Sequence, residues 1–171
     1  MRVLVLGLVL TMCPLVLSAQ TPATQTPPTP KLFASAGDVT AMIANAKKER
    51  KPDQANFVQP ILQLAPYNAN LEYRVAGINA NASVHEREAE MFFVVEGSGT
   101  LVTGGKLKDE RRTNAENLSG SGIDGGRRQH VTKGDFIMVP EGTPHWLGEI
   151  DGALVLMSIH LPHAPVAGTR P

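Results

Sequence analysis

The run GDFIMVPEGTPHWLGE, residues 134–149, constrains this chain more than any other stretch. Gly134-Asp135 is a turn signal, and Phe136, Ile137, Met138 and Val139 follow as an apolar run of strand length. Pro140 has no N–H to give to a ladder, so it ends the strand. Gly142 admits backbone angles that other residues resist, and Pro144 stiffens the approach to His145. Two strands joined by such a corner hold one imidazole at a fixed place and angle, as a metal ligand requires.

A second stretch supplies partners. Gly77 is followed by Ser83, His85, Glu90 and Gly97, with the charged run Glu86-Arg87-Glu88 between His85 and Glu90. Met91 to Val95 is an apolar strand closed by Gly97-Ser98-Gly99. Strand side chains alternate faces, so Glu90, Phe92 and Val94 share one. His85 and Glu90 differ in parity, so a bend is needed to bring both to one point.

These residues resemble the two cupin motifs. The first is usually G-x5-H-x-H-x3–4-E-x6-G; here it reads Gly77, Ser83, His85, Glu90, Gly97, with serine for the first histidine. The second is usually G-x5-P-x-G-x2-H-x3-N; here it reads Gly134, Pro140, Gly142, His145, Glu149, with glutamate for the final asparagine. The resemblance covers roughly residues 55–162 and is to small single-domain cupins of the type-2 kind. It implies an all-β, jelly-roll antiparallel barrel, here with an N-terminal helix packed outside. It is weaker for activity, because one fold hosts many functions.

The length allows one domain with a sizeable core, and a formal charge of +0 points to neither a nucleic acid nor a membrane surface. Residues 1–19 read as a secretory signal peptide: Arg2 is its one charge, Val3 to Leu17 is mostly apolar, and Ser18-Ala19 offers a small-residue cleavage site. Thr11, Cys13 and Pro14 interrupt the apolar stretch, which argues against a permanent membrane anchor. The mature protein is then expected outside the cytoplasm, periplasmic or extracellular. Cleavage there removes Cys13, the only cysteine, and with it any disulfide or thiolate ligand. Residues 20–34 open with a proline- and threonine-rich tract that builds no core, an extended linker.

The domain proper is expected over 35–162. Ser35 and Asp38 form a capping-box signature, and Val39, Met42, Ile43 and Ala46 make one apolar stripe, so a helix is predicted over 35–51, ended by Pro52. From Asn56 the period changes to two. Phe57 to Leu64 is a strand interrupted by Pro60, hence placed at an edge. Leu71, Tyr73 and Val75 alternate with Glu72, Arg74 and Ala76, a half-buried strand. Residues 106–130 are polar and glycine-rich and predict a protruding hairpin or loop, whose Arg111, Arg112, Arg127 and Arg128 either line the barrel mouth or form a solvated face. Ala153 to Leu161 is a buried strand, and the apolar residues flanking His160 on both parities leave its face open. Residues 163–171 read as a flexible tail.

The resemblance places His85, Glu90 and His145 inside the barrel. Two imidazoles and a carboxylate suit Fe(II), Mn(II), Ni(II) or Zn(II), with positions left for water and substrate. Ser83 is a weak ligand at most, a support behind the others. Without metal, His85 would hydrogen-bond Glu90 in the interior. Glu149 is either a general base beside the site or a strand end in water. Arg87 is expected in solvent with Glu86 and Glu88, and Trp146 on the outer face. Two function classes remain: metal-dependent chemistry on a small oxygen-bearing molecule, of dioxygenase, isomerase or lyase type, or a barrel that binds a small ligand or pairs as a homodimer without turnover.

Overall fold

The computed structural model describes residues 29–163. The signal peptide expected at 1–19, the linker up to residue 28 and the tail from residue 164 lie outside them. One helix precedes twelve strands, and every strand pairing is antiparallel. No helix among the described residues is long and apolar enough to cross a membrane.

Helix α1 spans Ala36–Glu49. Its capping box forms in full: Ser35 Oγ accepts from the Asp38 amide at 3.1 Å, and the Asp38 carboxylate accepts from the Ser35 amide at 2.7 Å. Its stripe lands on the sheet, where Ile43 and Ala46 join Ile61, Leu71, Tyr73 and Val155 in one buried cluster. The last residues of the expected linker are tied down too. Lys31 exchanges two backbone hydrogen bonds with Gln63, each 2.9 Å, and Ala34 packs against the helix cluster.

Strand β1 (Asn56–Leu64) lies at the sheet edge, with a register shift between Pro60 and Leu62 where the proline cannot donate. It pairs with β2 (Tyr67–Val75), then come β12 (Ala153–Pro162) and β4 (Glu88–Thr103), against which β10 (Phe136–Val139) also pairs. β4 is 16 residues long and serves two sheets. Its first half runs beside β12, and its second half beside β9 (Arg127–Thr132) and β11 (His145–Gly148). The second sheet continues through β3 (Ala82–His85), β7 (Asn117–Gly120) and β6 (Arg111–Arg112). Gly97 marks the passage between the halves of β4. A Cβ there would stand 1.9 Å from the Ala153 carbonyl oxygen, so only glycine lets β12 come this close.

Between the sheets sits the second core: Phe92, Val94, Leu101, Val131, Ile137, Val139, Leu147, Leu154 and Leu156. β2 lies between the helix cluster and the barrel cavity, and this corrects the reading of its alternation. The apolar set, Leu71 and Tyr73, faces the helix, whereas Glu72 and Arg74 turn into the barrel rather than to solvent. The segment 106–130 takes the hairpin form: β5 (Lys106–Lys108) pairs with β8 (Gly122–Asp124), and β6 with β7. Its four arginines are exposed, with Arg112 on Glu86 and Arg128 on Glu149, so they form a solvated face.

Candidate metal centre

The proline–glycine corner does more than aim one histidine. Gly142 takes φ 69°, a left-handed angle suited to glycine, and its amide donates to the His85 carbonyl at 2.7 Å. The second motif thereby clamps the backbone of the first. The Pro144 carbonyl accepts from the Gly104 amide at 2.8 Å, which fixes the start of β11. His85 ends β3 and His145 begins β11, and a two-residue turn, Glu86-Arg87, separates His85 from β4. That turn is the bend the parity of His85 and Glu90 demanded.

His85, Glu90 and His145 converge. Nε2 of His85 lies 3.3 Å and Nε2 of His145 3.0 Å from the same oxygen of Glu90, Oε2. Glu90 is 4% exposed and His145 5%, and His85 is half-buried. The tautomers follow from the neighbours. Nδ1 of His145 lies 3.0 Å from the Thr143 carbonyl, which can only accept, so Nδ1 carries the proton. For His85 the chain of reasoning is longer. The Glu116 amide donates to Asn114 Oδ1, which fixes the orientation of that side chain. Asn117 Nδ2 donates to the same oxygen, so Asn117 turns Oδ1 to His85 Nδ1 at 2.6 Å, and this Nδ1 donates. As neutral rings, both imidazoles present Nε2 lone pairs to a carboxylate. Three electron-rich groups around one point need a cation between them, a divalent metal or protons.

The ionisation pattern is that of the second case, with protons on the Nε2 atoms. Burial alone would raise the Glu90 carboxyl, but hydrogen bonds from His145 and His85, the His145 charge and the Ser158 hydroxyl hold it far below the carboxylate range. Burial pulls the His85 ring down, yet Glu90 and Asn117 outweigh it and push it up. The donor set, two nitrogens and a carboxylate oxygen with their outer atoms held by acceptors, fits a divalent transition metal.

The remaining candidates separate. Ser83 lines the cavity directly across from His145 in the β3–β11 register, and no hydrogen bond links it to the imidazoles among the described residues. Glu149 does not join the cluster: past the end of β11 its φ is 46°, and its carboxylate lies in the open with Arg128 against a different hollow. That left-handed turn swings the side chain away from the His145 face, so the general-base alternative fails for it. Arg87 points outward to Glu116 at 3.8 Å, whereas Glu88 turns back to a histidine instead of solvent. Trp146 is not simply on the outer face. Its ring lies against the Gly148 backbone, its N–H donates to the Ala80 carbonyl at 2.9 Å, and it lines the cavity.

Sequence reasoning left the face of His160 open and did not place it beside Glu90. Register decides its face: it stands opposite Glu90 on β4, on the inward row of β12 with Ser158, Leu156 and Leu154. Its Nδ1 lies 2.8 Å from Glu88 Oε2 and its Nε2 3.4 Å from Glu90 Oε1. The signal was present, since His160 shares parity with Leu154 and Leu156, but Ile159 and Leu161 masked it. Glu72 and Arg74 were missed for the opposite reason: they were read as the wet side of a strand that has no wet side.

The cupin family profile matches residues 63–164. A suggested sugar phosphate isomerase from Acidithiobacillus ferrooxidans superposes with a TM-score of 0.51 at 16% identity, covering 77% of this chain and 75% of that one. An uncharacterized conserved protein with a double-stranded β-helix domain from Klebsiella pneumoniae gives 0.50 at 14% identity, covering 66% of this chain and 82% of its own. At such identities the likeness is one of fold. A comparison with curated protein sequences found no match. With both motifs, their spacing and the barrel in place, the chain belongs to the cupin family.

Proposed function

We propose that this cupin is a metal-dependent enzyme acting on a small oxygen-bearing molecule, with one divalent transition metal held by His85, Glu90 and His145. The observation that carries the reading is the convergence of two Nε2 atoms on one buried carboxylate oxygen, at 3.3 and 3.0 Å, with both Nδ1 atoms already committed to acceptors. A metal in such a set supplies Lewis acidity to a substrate oxygen, or redox chemistry if it is iron or manganese. The chain's own groups do the rest. Asn117 and Thr143 fix the rings, and Ser158 donates to Glu90 Oε1 at 2.5 Å, leaving Oε2 for the cation. Phe92 and Leu147 give the cavity an apolar portion of its wall. His160, held at Nδ1 by Glu88, sets Nε2 beside the same carboxylate. Dioxygenase, isomerase and lyase chemistry are all compatible with this frame.

Ser83 favours a second reading. A serine in place of an imidazole weakens the set, and a barrel that binds a small ligand or a second copy without metal follows. Elemental analysis of protein purified without chelators separates the two. We expect about one metal per chain, and less than a tenth of that for His85→Ala and His145→Ala. Wild type that stays near zero after exposure to Fe(II), Mn(II), Ni(II) and Zn(II) would falsify the metal reading. Export belongs to the same proposal and rests on the leader-like sequence of residues 1–19. The intact mass of protein recovered from its native host should correspond to a chain starting near Gln20, and a cytoplasmic chain retaining Met1 would end that idea.

A further inference from the structure

The cavity beside the histidines holds polar groups that the metal reading does not use. Glu72 and Arg74, two apart on β2, both turn inward, with side chains 10% and 12% exposed. Arg74 gives Nε and Nη2 to one oxygen of Glu72, Oε2, at 3.0 and 2.6 Å. Among the described residues no hydrogen bond engages Nη1 of Arg74. Asn56 stands directly across from Arg74 in the β1–β2 register, and it lines the same cavity. Its Oδ1 is shut off from solvent and meets no donor, the one buried side-chain atom among the described residues left that way. Native structures nearly always give such an atom a partner.

A free cationic donor beside a free acceptor selects for adjacent groups of matching kind. A carboxylate next to a hydroxyl fits: the carboxylate accepts from Arg74, and the hydroxyl gives its proton to Asn56. A neutral diol brings no charge to Arg74, a simple carboxylate brings no proton to Asn56, and an amine would face a guanidinium. Charge points the same way. Glu72 balances Arg74, and Glu90 balances a divalent ion once, so the lining retains one positive charge for an anion to meet. The cavity, about 180 Å³, is smaller than pockets that take drug-sized ligands, so the molecule has few carbons.

We propose that the cavity binds a small hydroxy acid, its carboxylate on Arg74 Nη1, its 2-hydroxyl on Asn56 Oδ1 once that amide turns toward the cavity, and its remaining oxygenated carbon toward His85, Glu90 and His145. The far end and the net positive charge of the lining rest on the metal reading, while the Arg74–Asn56 corner stands independently of it.

Trp146, the single tryptophan of the chain, lines the cavity, so its fluorescence reports occupancy. The full chain, with and without Zn(II), is titrated with glycerate, glycerol and propanoate. Glycerate should bind about tenfold tighter than either of the others, the scale of one charged hydrogen bond. Asn56→Leu should remove the preference over propanoate. The pair Glu72→Gln with Arg74→Gln, which leaves no buried charge alone, should remove the preference over glycerol while zinc content stays the same. Wild type that binds glycerate no tighter than the two controls overturns the proposal, as does a folded double variant that keeps the preference. Should the double variant not fold, the three-ligand comparison on wild type still decides. Zinc content of the same samples keeps the two readings apart. A zinc-free chain that prefers glycerate sinks the metal reading alone, and a zinc-loaded chain with no preference sinks this one alone.

Discussion

Two halves of the barrel are built from the same strands and differ in what they turn inward. On β4, Glu90 is followed inward by Phe92 and Val94; on β11, His145 by Leu147; on β12, His160 and Ser158 give way to Leu156 and Leu154. One half is a dry cluster of nine side chains. The other half places carboxylates and imidazoles in a cavity where each needs a partner. Stability and chemistry are thus divided along the strands and not between elements. The dry half keeps the strands in register, so the polar half can hold groups that oppose folding when their partners are missing.

The sharpest break of this division comes from the dry side. Leu156 is fully buried and does not line the cavity, so Leu156→Ala should cost about 2–5 kcal/mol. Thermal denaturation should show a melting temperature lower by roughly 10 °C, with metal per folded chain unchanged. His145→Ala should give the mirror image. Metal is lost, and the metal-free melting temperature moves less than in Leu156→Ala. A variant at position 145 that is unfolded in the circular dichroism spectrum would show that the two halves are not separate.

Acidity sharpens the contrast next. The His85 ring is raised in the folded chain, so the stability it contributes is full below its ordinary value near 6.5 and is lost as pH climbs through the raised value. Glu90 is held low, so its contribution is present above the ordinary carboxylate value and stays constant through neutrality. Metal-free protein should therefore melt at a higher temperature at pH 6 than at pH 8. Metal-loaded protein should show the reverse, because protons compete for the imidazoles. Parallel pH trends in the two forms would mean that His85 does not touch the metal.

A smaller effect is expected at Ser83, which faces His145 across β3 and β11. Ser83→His should tighten metal binding several-fold in a competition titration, and weaker binding would show the serine to be more than a gap. Least of all, Glu149→Gln should change neither metal content nor melting, since its ion pair with Arg128 is open to water. Loss of activity there would return Glu149 to the machinery.

Much of this was readable in advance. The helix cap and the edge strand marked by Pro60 rest on local rules, a hydrogen-bonding side chain and a missing N–H, whereas the His85–Glu90–His145 set was implied by the resemblance to the cupin motifs. What escaped depends on what lies on the other side of a strand. β2 is covered on both faces, by a helix and by a cavity, so its polar residues mark the interior and not the surface. His160 sits in an apolar run because β12 is covered in the same way. Asn117 was hidden in a segment that composition marks as loop, and only the β3–β7 pairing shows that it meets His85.

The clamp between the Gly142 amide and the His85 carbonyl bears on when the site can exist. It joins residues far apart in sequence, and the inward row is complete only once β12, near the end of the domain, has paired with β4. Contacts of such long range form late, after the entropy of closing the intervening chain has been overcome. A chain still emerging, or one threaded unfolded through a membrane, holds these donors as separate groups. Any metal it binds is therefore chosen by the compartment in which folding finishes, and if the chain is exported, the ions available outside the cytoplasm decide which one that is.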